Sequence, residues 1–167
     1  MRDDTIEPES VLEELSRAVR TDHTSESQDA TLGRQHRSVE DVDRDLERLL
    51  GFVTDALPVE QVAFEDALVK GNLEEVLLVL IAMHEEAHGD QLLTDLERLF
   101  DARLSPGTVY PCLHDLEDED VLSMHAKVRT KEYSIDDREA VRETVETTML
   151  QHLSFGLLLY AFLEQYE

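Results

Sequence analysis

Leu104-Ser-Pro-Gly-Thr-Val-Tyr-Pro-Cys-Leu-His-Asp-Leu-Glu117 is the stretch from which the fold can be read. Ser105 is a residue type that caps orphan backbone N–H groups, and Pro106 suits the first position of a helix. Val109, Leu113 and Leu116 then recur at helical spacing, so the segment predicts a short helix with one apolar face. Two β-type runs follow, Val121–Met124 and Lys131–Ile135, joined by the basic corner Lys127-Val-Arg129. A short helix followed by a two-stranded ribbon with a basic tip is the arrangement a winged helix uses to hold duplex DNA.

On the amino-terminal side, Ser38-Val-Glu-Asp41 resembles a capping box and opens a helix. Val39, Val42, Leu46, Leu49, Val53 and Ala56 recur along that helix at alternating steps of three and four, a coiled-coil-type seam. A second short helix is predicted over Val59–Val69, ending at Gly71. Asn72-Leu-Glu-Glu75 starts the next as a capping box, with Leu73, Val76, Leu77, Leu80 and Ile81 inward. Gly89 is expected to break it and Asp90 to cap its successor, which turns Leu92, Leu93, Leu96, Leu99 and Phe100 inward. From Asp136 a last helix runs to the end. Its seam is Val145, Met149, His152, Gly156, Leu159 and Leu163, with Leu150, Leu153, Leu157 and Tyr160 beside it. A helix so broadly apolar must be buried on most sides, and a second subunit is the simplest cover.

The chain is therefore read as mainly α. A polar segment covers 1–37, with a short amphipathic helix at Val11–Val19 and a linker at Thr21–Arg37. A helical extension covers 38–71, a winged helix-turn-helix domain with a two-stranded wing covers 72–136, and a dimerisation helix covers 137–167.

Three pieces carry a family resemblance: the turn His88-Gly89, the block Ser105-Pro-Gly-Thr-Val-Tyr-Pro with Leu113 and Leu116-Glu117, and the wing end Arg129-Thr-Lys-Glu-Tyr133-Ser-Ile. In this order, over about residues 73 to 137, the chain resembles the PadR family of winged-helix transcriptional regulators. The resemblance implies a dimeric DNA-binding repressor with a long C-terminal dimerisation helix. The chain departs from the family pattern at Asp90, where an aromatic is common, at His114 and Asp115, where basic residues are frequent, and at Asp120, where glycine is usual.

Of 167 residues, 39 are acidic and 15 basic, a net charge of −24, and only Lys70, Lys127 and Lys131 are lysines. The hydrophobic content of 41% is enough for a core, so this is not the composition of a simple disordered acid tail. The acids are spread along the chain, which favours a surface adapted to a salt-rich cytoplasm, where a Debye length near ~3 Å at 1 M salt screens their repulsion. An acidic mesophilic protein with charged tails is the alternative. A nucleic-acid binder is expected to show a basic footprint, and position matters more here than the sum: residues 121–135 hold Lys127, Arg129 and Lys131 against Glu132 alone. Bound cations are expected to bridge the remaining carboxylates and DNA phosphates.

The DNA-binding set read from the sequence is Arg103, Ser105, Gly107, Thr108, Tyr110, His114, Lys127, Arg129 and Lys131. Thr108 and Tyr110 offer hydroxyls to phosphates, His114 a donor to a base edge, and Gly107 close backbone approach. Tyr110 packing inside the domain is the competing reading. Pro111 is expected to kink the helix by clashing with the carbonyl of residue 107. Arg129 is the candidate for a minor groove or its phosphates, with Lys127 and Lys131 as backbone positioners. The dimerisation set is Val145, Met149, His152, Leu153, Gly156, Leu159, Tyr160 and Leu163.

Two other classes stay open. His84-Glu-Glu-Ala-His88 satisfies H-E-x-x-H, which on a helix would present two zinc ligands with Glu85 as general base. The acidic end Asp115 with Glu117–Asp120 would suit a winged helix that binds protein instead. The bland reading of the histidine pair, the end of a helix in a winged-helix domain, is preferred. No enzyme activity, cofactor or metal is expected, and the partners are duplex DNA and a second copy, with an effector undefined. The single Cys112 excludes an intramolecular disulfide and is read as a buried small hydrophobe. Met149–Leu163 is uncharged but only 15 residues long, below the roughly 20 of a membrane helix. With no apolar signal core at the amino terminus, a cytoplasmic location is expected.

Overall fold

A computed structural model describes residue 13 and residues 38–57 and 62–166. Contacts divide the chain between Ala63 and Phe64 into two compact units. The helix expected over 11–19, apart from Glu13, and the linker expected over 21–37 lie outside the described residues.

The first unit holds helix α1, Val39–Ala56. Ser38 caps it as its sequence predicts: the hydroxyl oxygen accepts from Asp41 N–H at 3.2 Å and donates to the Asp41 carboxylate at 2.7 Å. Within its seam Val42 and Leu46 are buried, while Val39 and Leu49 remain exposed.

The second unit begins with α2, Asp66–Gly71, shorter than the helix expected from Val59. Helix α3, Leu73–His84, follows directly and is the centre of the domain. It packs against the three later helices and the sheet. Leu73, Leu77, Leu80 and Ile81 are buried as predicted, and Leu78 joins them because the helix is covered on more than one side. Asn72 does not cap α3 with its side chain. Its amide donates instead to the Leu68 carbonyl at 2.7 Å, closing α2.

Helix α3 stops at His84, short of the expected break at Gly89. Glu85 takes φ 65°, a left-handed backbone that ends the helical path. Glu86–His88 then forms a strand, β1, where the sequence predicted helix. Three residues are too few to show a period of two, and Glu and Ala favour helices locally; the pairing partner lies more than forty residues away.

His88 caps helix α4, Gly89–Phe100, with its ring Nδ1 accepting from Gln91 N–H at 3.1 Å. The expected cap, Asp90, sits in the first turn, where its charge still favours the helix dipole. Asp101 at φ 51° ends α4, and Ala102 N–H reaches back to the Leu96 carbonyl at 3.1 Å.

Helix α5 is Pro106–Asp118, the quoted stretch. Ser105 occupies the cap position, but its hydroxyl pairs with that of Thr108 at 3.1 Å, and only its backbone carbonyl accepts from the helix. Val109, Leu113 and Leu116 are buried as their spacing requires. The helix is continuous through Pro111. Asp120, where the resembled family has glycine, adopts φ 59° at the exit.

Strands β2, Leu122–Ala126, and β3, Lys131–Ile135, form the predicted hairpin, with Ala126 opposite Lys131. The sheet has three antiparallel strands in the order β1-β3-β2, because β1 adds to the far edge with Ala87 opposite Tyr133. Ala87, Tyr133 and Leu122 point inward and are buried. The last helix, α6, spans Arg138–Tyr166 and starts on the Asp137 carboxylate, which accepts from Glu139 and Ala140 N–H. Thr148 donates to Glu75 at 2.6 Å, holding α6 on α3. The winged helix with its C-terminal helix is thus present. Among the described residues no helix is long and apolar enough to cross a membrane.

Candidate nucleic-acid interface

With Val109, Leu113 and Leu116 anchored in the core, α5 must present its other side to solvent. Gly107, Thr108, Pro111 and His114 are exposed there. The space beside Gly107 is open, with only the Ser105 hydroxyl near a built Cβ at 3.7 Å, so backbone can approach a ligand closely. His114 lies 3.6 Å from Glu117, a loose pairing that leaves the ring at the surface.

Tyr110, read either as a phosphate-facing hydroxyl or as packed within the domain, lies against the start of α4. Its ring lies over Gly89 so closely that any Cβ there would overlap the phenol. Its hydroxyl points to the Asp90 carboxylate at 3.5 Å, the outer edge of hydrogen-bond range. Burial first, and then the Asp90 charge, push this phenol above its ordinary pKa. The glycine of the His88-Gly89 turn is therefore needed because α5 sits down on the start of α4 through Tyr110.

One flank of α5, reaching to Thr108 and Pro111, is acidic. Asp115, Asp118 and Glu119 line a hollow with Glu74 of α3, and Cys112 sits half-buried among them. Burial, followed by the charges of Glu74 and Asp115, pushes the Cys112 thiol up to about 11. A thiol so raised carries little thiolate near neutrality and is a poor nucleophile or metal ligand.

The wing carries the cations. Val128 is fully exposed at the tip, and Arg129 and Lys131 beside it are exposed without an ion pair to any described residue. Lys127 differs: its ammonium contacts Glu86 of β1 at 3.2 Å and Glu132 of β3 more closely still. Both contacts raise the Lys127 pKa, and the lysine in turn lowers that of Glu132. Arg103, just before α5, is extended toward solvent and paired with Glu97 at 2.8 Å. The nine DNA-binding candidates thus fall into a helix surface, a wing tip and a flanking arginine, while Tyr110 and Lys127 face other protein groups.

The H-E-x-x-H motif does not form its zinc geometry. His84 ends α3 and is 3% exposed, with Nε2 2.7 Å from the Asp95 carboxylate and Nδ1 3.0 Å from the Gln91 amide. His88 lies on β1 with Nδ1 engaged by Gln91 N–H. Glu85, between them, has left the helix. The motif is instead the junction between α3, β1 and α4, and among the described residues no group of three or more metal-ligating side chains converges. Gln91, Asp95, Glu86 and Glu132 were not singled out by sequence reasoning. Glu86 lies within β1 and Glu132 within β3, and only the sheet brings both to Lys127.

The side chains of α6 lie mostly open in the single chain. Met149, Leu159 and Leu163 of the predicted seam are 48, 49 and 62% exposed, Leu153 is 37%, and Val145 and Tyr160 are half-buried. His152 and Gly156 lie exposed on the same helix, and the His152 Nδ1 bonds the Thr148 carbonyl at 2.8 Å.

Comparison with known proteins finds similarity over the same region. The model described as "Transcriptional regulator PadR-like family" matches residues 76–139, which run from α3 through the wing to the start of α6. The chain is 46% identical over 98 residues to the transcriptional activator GvpE of Haloferax mediterranei, covering 59% of this chain and 51% of that one. It is 44% identical over 96 residues to the transcriptional activator GvpE1 of Halobacterium salinarum, covering 58 and 50%. The chain thus spans about half the length of these curated relatives. Among solved structures, a PadR-like transcription factor from Bacteroides fragilis aligns with a TM-score of 0.40 at 20% identity, over 59% of this chain and 92% of that one.

Proposed function

We propose that this chain, whose residues 76–139 form a domain of the PadR-like transcriptional regulator family, regulates transcription as a homodimer that grips duplex DNA with α5 and the wing. The observation that carries the reading is the pairing of an α5 surface bearing Gly107, Thr108 and His114 with a wing tip whose Arg129 and Lys131 are unneutralised. Helix α5 enters the major groove, Thr108 and Ser105 meet phosphates, and Arg129 lies along the neighbouring minor groove. The relatives are named as transcriptional activators, which supports a role in transcription.

The exposed apolar face of α6 supports the dimer: a second α6 would cover Met149, Leu153, Leu159 and Leu163. Two-fold symmetry then sets two half-sites about one turn, ~34–36 Å, apart. A small effector would act by changing that spacing. The relatives are named as activators, which favours activation over the repression implied by the family resemblance. Both come from halophilic archaea, which accords with the acidic surface and with a salt-rich cytoplasm.

Footprinting on a genomic fragment retained in molar KCl tests this. Two protected patches one helical turn apart support the dimer on DNA; one patch, or none on any fragment, contradicts it. The rival reading, a protein-binding winged helix, draws on the acidic side of α5 at Asp115, Asp118 and Glu119.

A further inference from the structure

The wing hairpin would be a free arm if only β2 and β3 held it. The hairpin is joined to β1 by backbone pairing to β3, and the Lys127 side chain reaches across the same strands. The residue follows β2, and its backbone N–H donates to the Thr130 carbonyl at 2.8 Å to close the turn. Its ammonium then reaches over β3 to Glu132 and on to Glu86 of β1, spanning all three strands. Glu86 faces Ser134 and His88 faces Glu132, so the two carboxylates are diagonal neighbours on one face of the sheet. The strand that holds Glu86 is continuous with His88, which caps α4, and α4 seats α5 through Gly89 and Tyr110.

We propose that Lys127 is a positioning residue, which fixes the wing against β1 and so against α5, and that it makes no phosphate contact. The inference deepens the DNA-binding reading and rests on it. One ammonium between two carboxylates leaves the cluster with a net charge of −1, so it has no positive charge to give to a phosphate. Arg129 and Lys131 provide the wing's attraction to DNA, and Lys127 sets where they point.

The two roles predict opposite outcomes for the carboxylates. If Lys127 were a phosphate ligand, Glu132→Gln and Glu86→Gln would free it and tighten binding. If it is a clamp, both weaken binding, as Lys127→Gln does. The measurement is the dissociation constant for a genomic duplex retained by wild type, over a KCl series from roughly half-molar to three molar, across which screening of exposed charges is strong. The expected result for Lys127→Gln and for each carboxylate variant is a loss of about threefold with the salt slope unchanged, in keeping with exposed ion pairs. Arg129→Gln should flatten the slope by about 0.9 for each phosphate it no longer neutralises. A flattened slope for Lys127→Gln, or tighter binding by the carboxylate variants, overturns the proposal.

Amide exchange on the DNA-free protein gives an independent reading. The wing amides at 126–131 should exchange several-fold faster in Lys127→Gln and Glu86→Gln, with core protection unchanged, and Lys127→Arg should restore them. Unchanged wing exchange overturns the clamp. If wild type retained no duplex, the DNA reading would fail, and exchange alone would decide the clamp.

Discussion

The side-chain amide of Gln91 lies 3.0 Å from Nδ1 of His84, while its backbone N–H donates to Nδ1 of His88 at 3.1 Å. One glutamine thus engages both histidines of the apparent zinc motif. The arrangement is satisfied when His84 carries its proton on Nε2, donating to Asp95, and accepts from Gln91 on Nδ1. Asp95 is buried and also holds Arg98 at 3.1 Å.

Removing His84 takes one partner from a buried carboxylate. His84→Ala is expected to cost about 2–4 kcal/mol, and Gln91→Ala about 1–2 kcal/mol. Urea melts in molar KCl check this, with metal analysis alongside. Stoichiometric zinc in the wild type, lost in His84→Ala, would restore the zinc-hydrolase reading.

Among the described residues three non-glycines hold positive φ: Glu85 at 65° after α3, Asp101 at 51° after α4 and Asp120 at 59° after α5. Glycine accepts that conformation without a Cβ penalty, so Glu85→Gly and Asp120→Gly should each stabilise the fold by roughly 0.5–1.5 kcal/mol. Thermal melts decide the matter: destabilisation by both substitutions would mean the side chains do more than tolerate the turn.

The Cys112 thiol, pushed up to about 11 by burial and by the carboxylates around it, should be slow to alkylate. At pH 8 its reaction with iodoacetamide is expected to be at least about tenfold slower than that of an ordinary thiol, and still rising between about pH 9 and 10. A rate that levels off below about pH 9 would contradict this environment.

Helix α6 leaves Leu159 and Leu163 exposed in the single chain. In the dimer proposed here, Leu159→Arg buries an unpaired charge and should weaken association on the order of 100-fold or more. Sedimentation in molar KCl over a range of concentrations reads this directly. A wild type that is monomeric at about 100 μM, or a dimer indifferent to the substitution, would count against the seam.

The elements whose residues repeat could be read from sequence, and those made by single contacts could not. Val109, Leu113 and Leu116 announced the buried side of α5, and the β-type runs around Lys127-Val-Arg129 announced the wing. Strand β1 was hidden because Glu86-Ala-His88 looks helical until β3 offers it a partner. Asn72 and Ser105 hold the expected cap positions but turn their side chains to the Leu68 carbonyl and the Thr108 hydroxyl, while at α4 the His88 imidazole takes the cap expected of Asp90. At the interface, residue type identified Arg129 and Lys131 as surface cations. It gave no sign that Lys127 faces two carboxylates or that Tyr110 lies over Gly89, since both depend on residues distant in the chain.

The most direct test of the account is retention of genomic DNA fragments in molar KCl by the wild type beside Arg129→Ala. The account predicts that wild type holds a small set of fragments reproducibly and that Arg129→Ala, equally folded and equally dimeric, holds the same set with a several-fold loss of affinity. Retention of no fragment by a folded dimer, or retention indifferent to Arg129, would contradict it and shift the reading to a protein partner on the acidic side of α5.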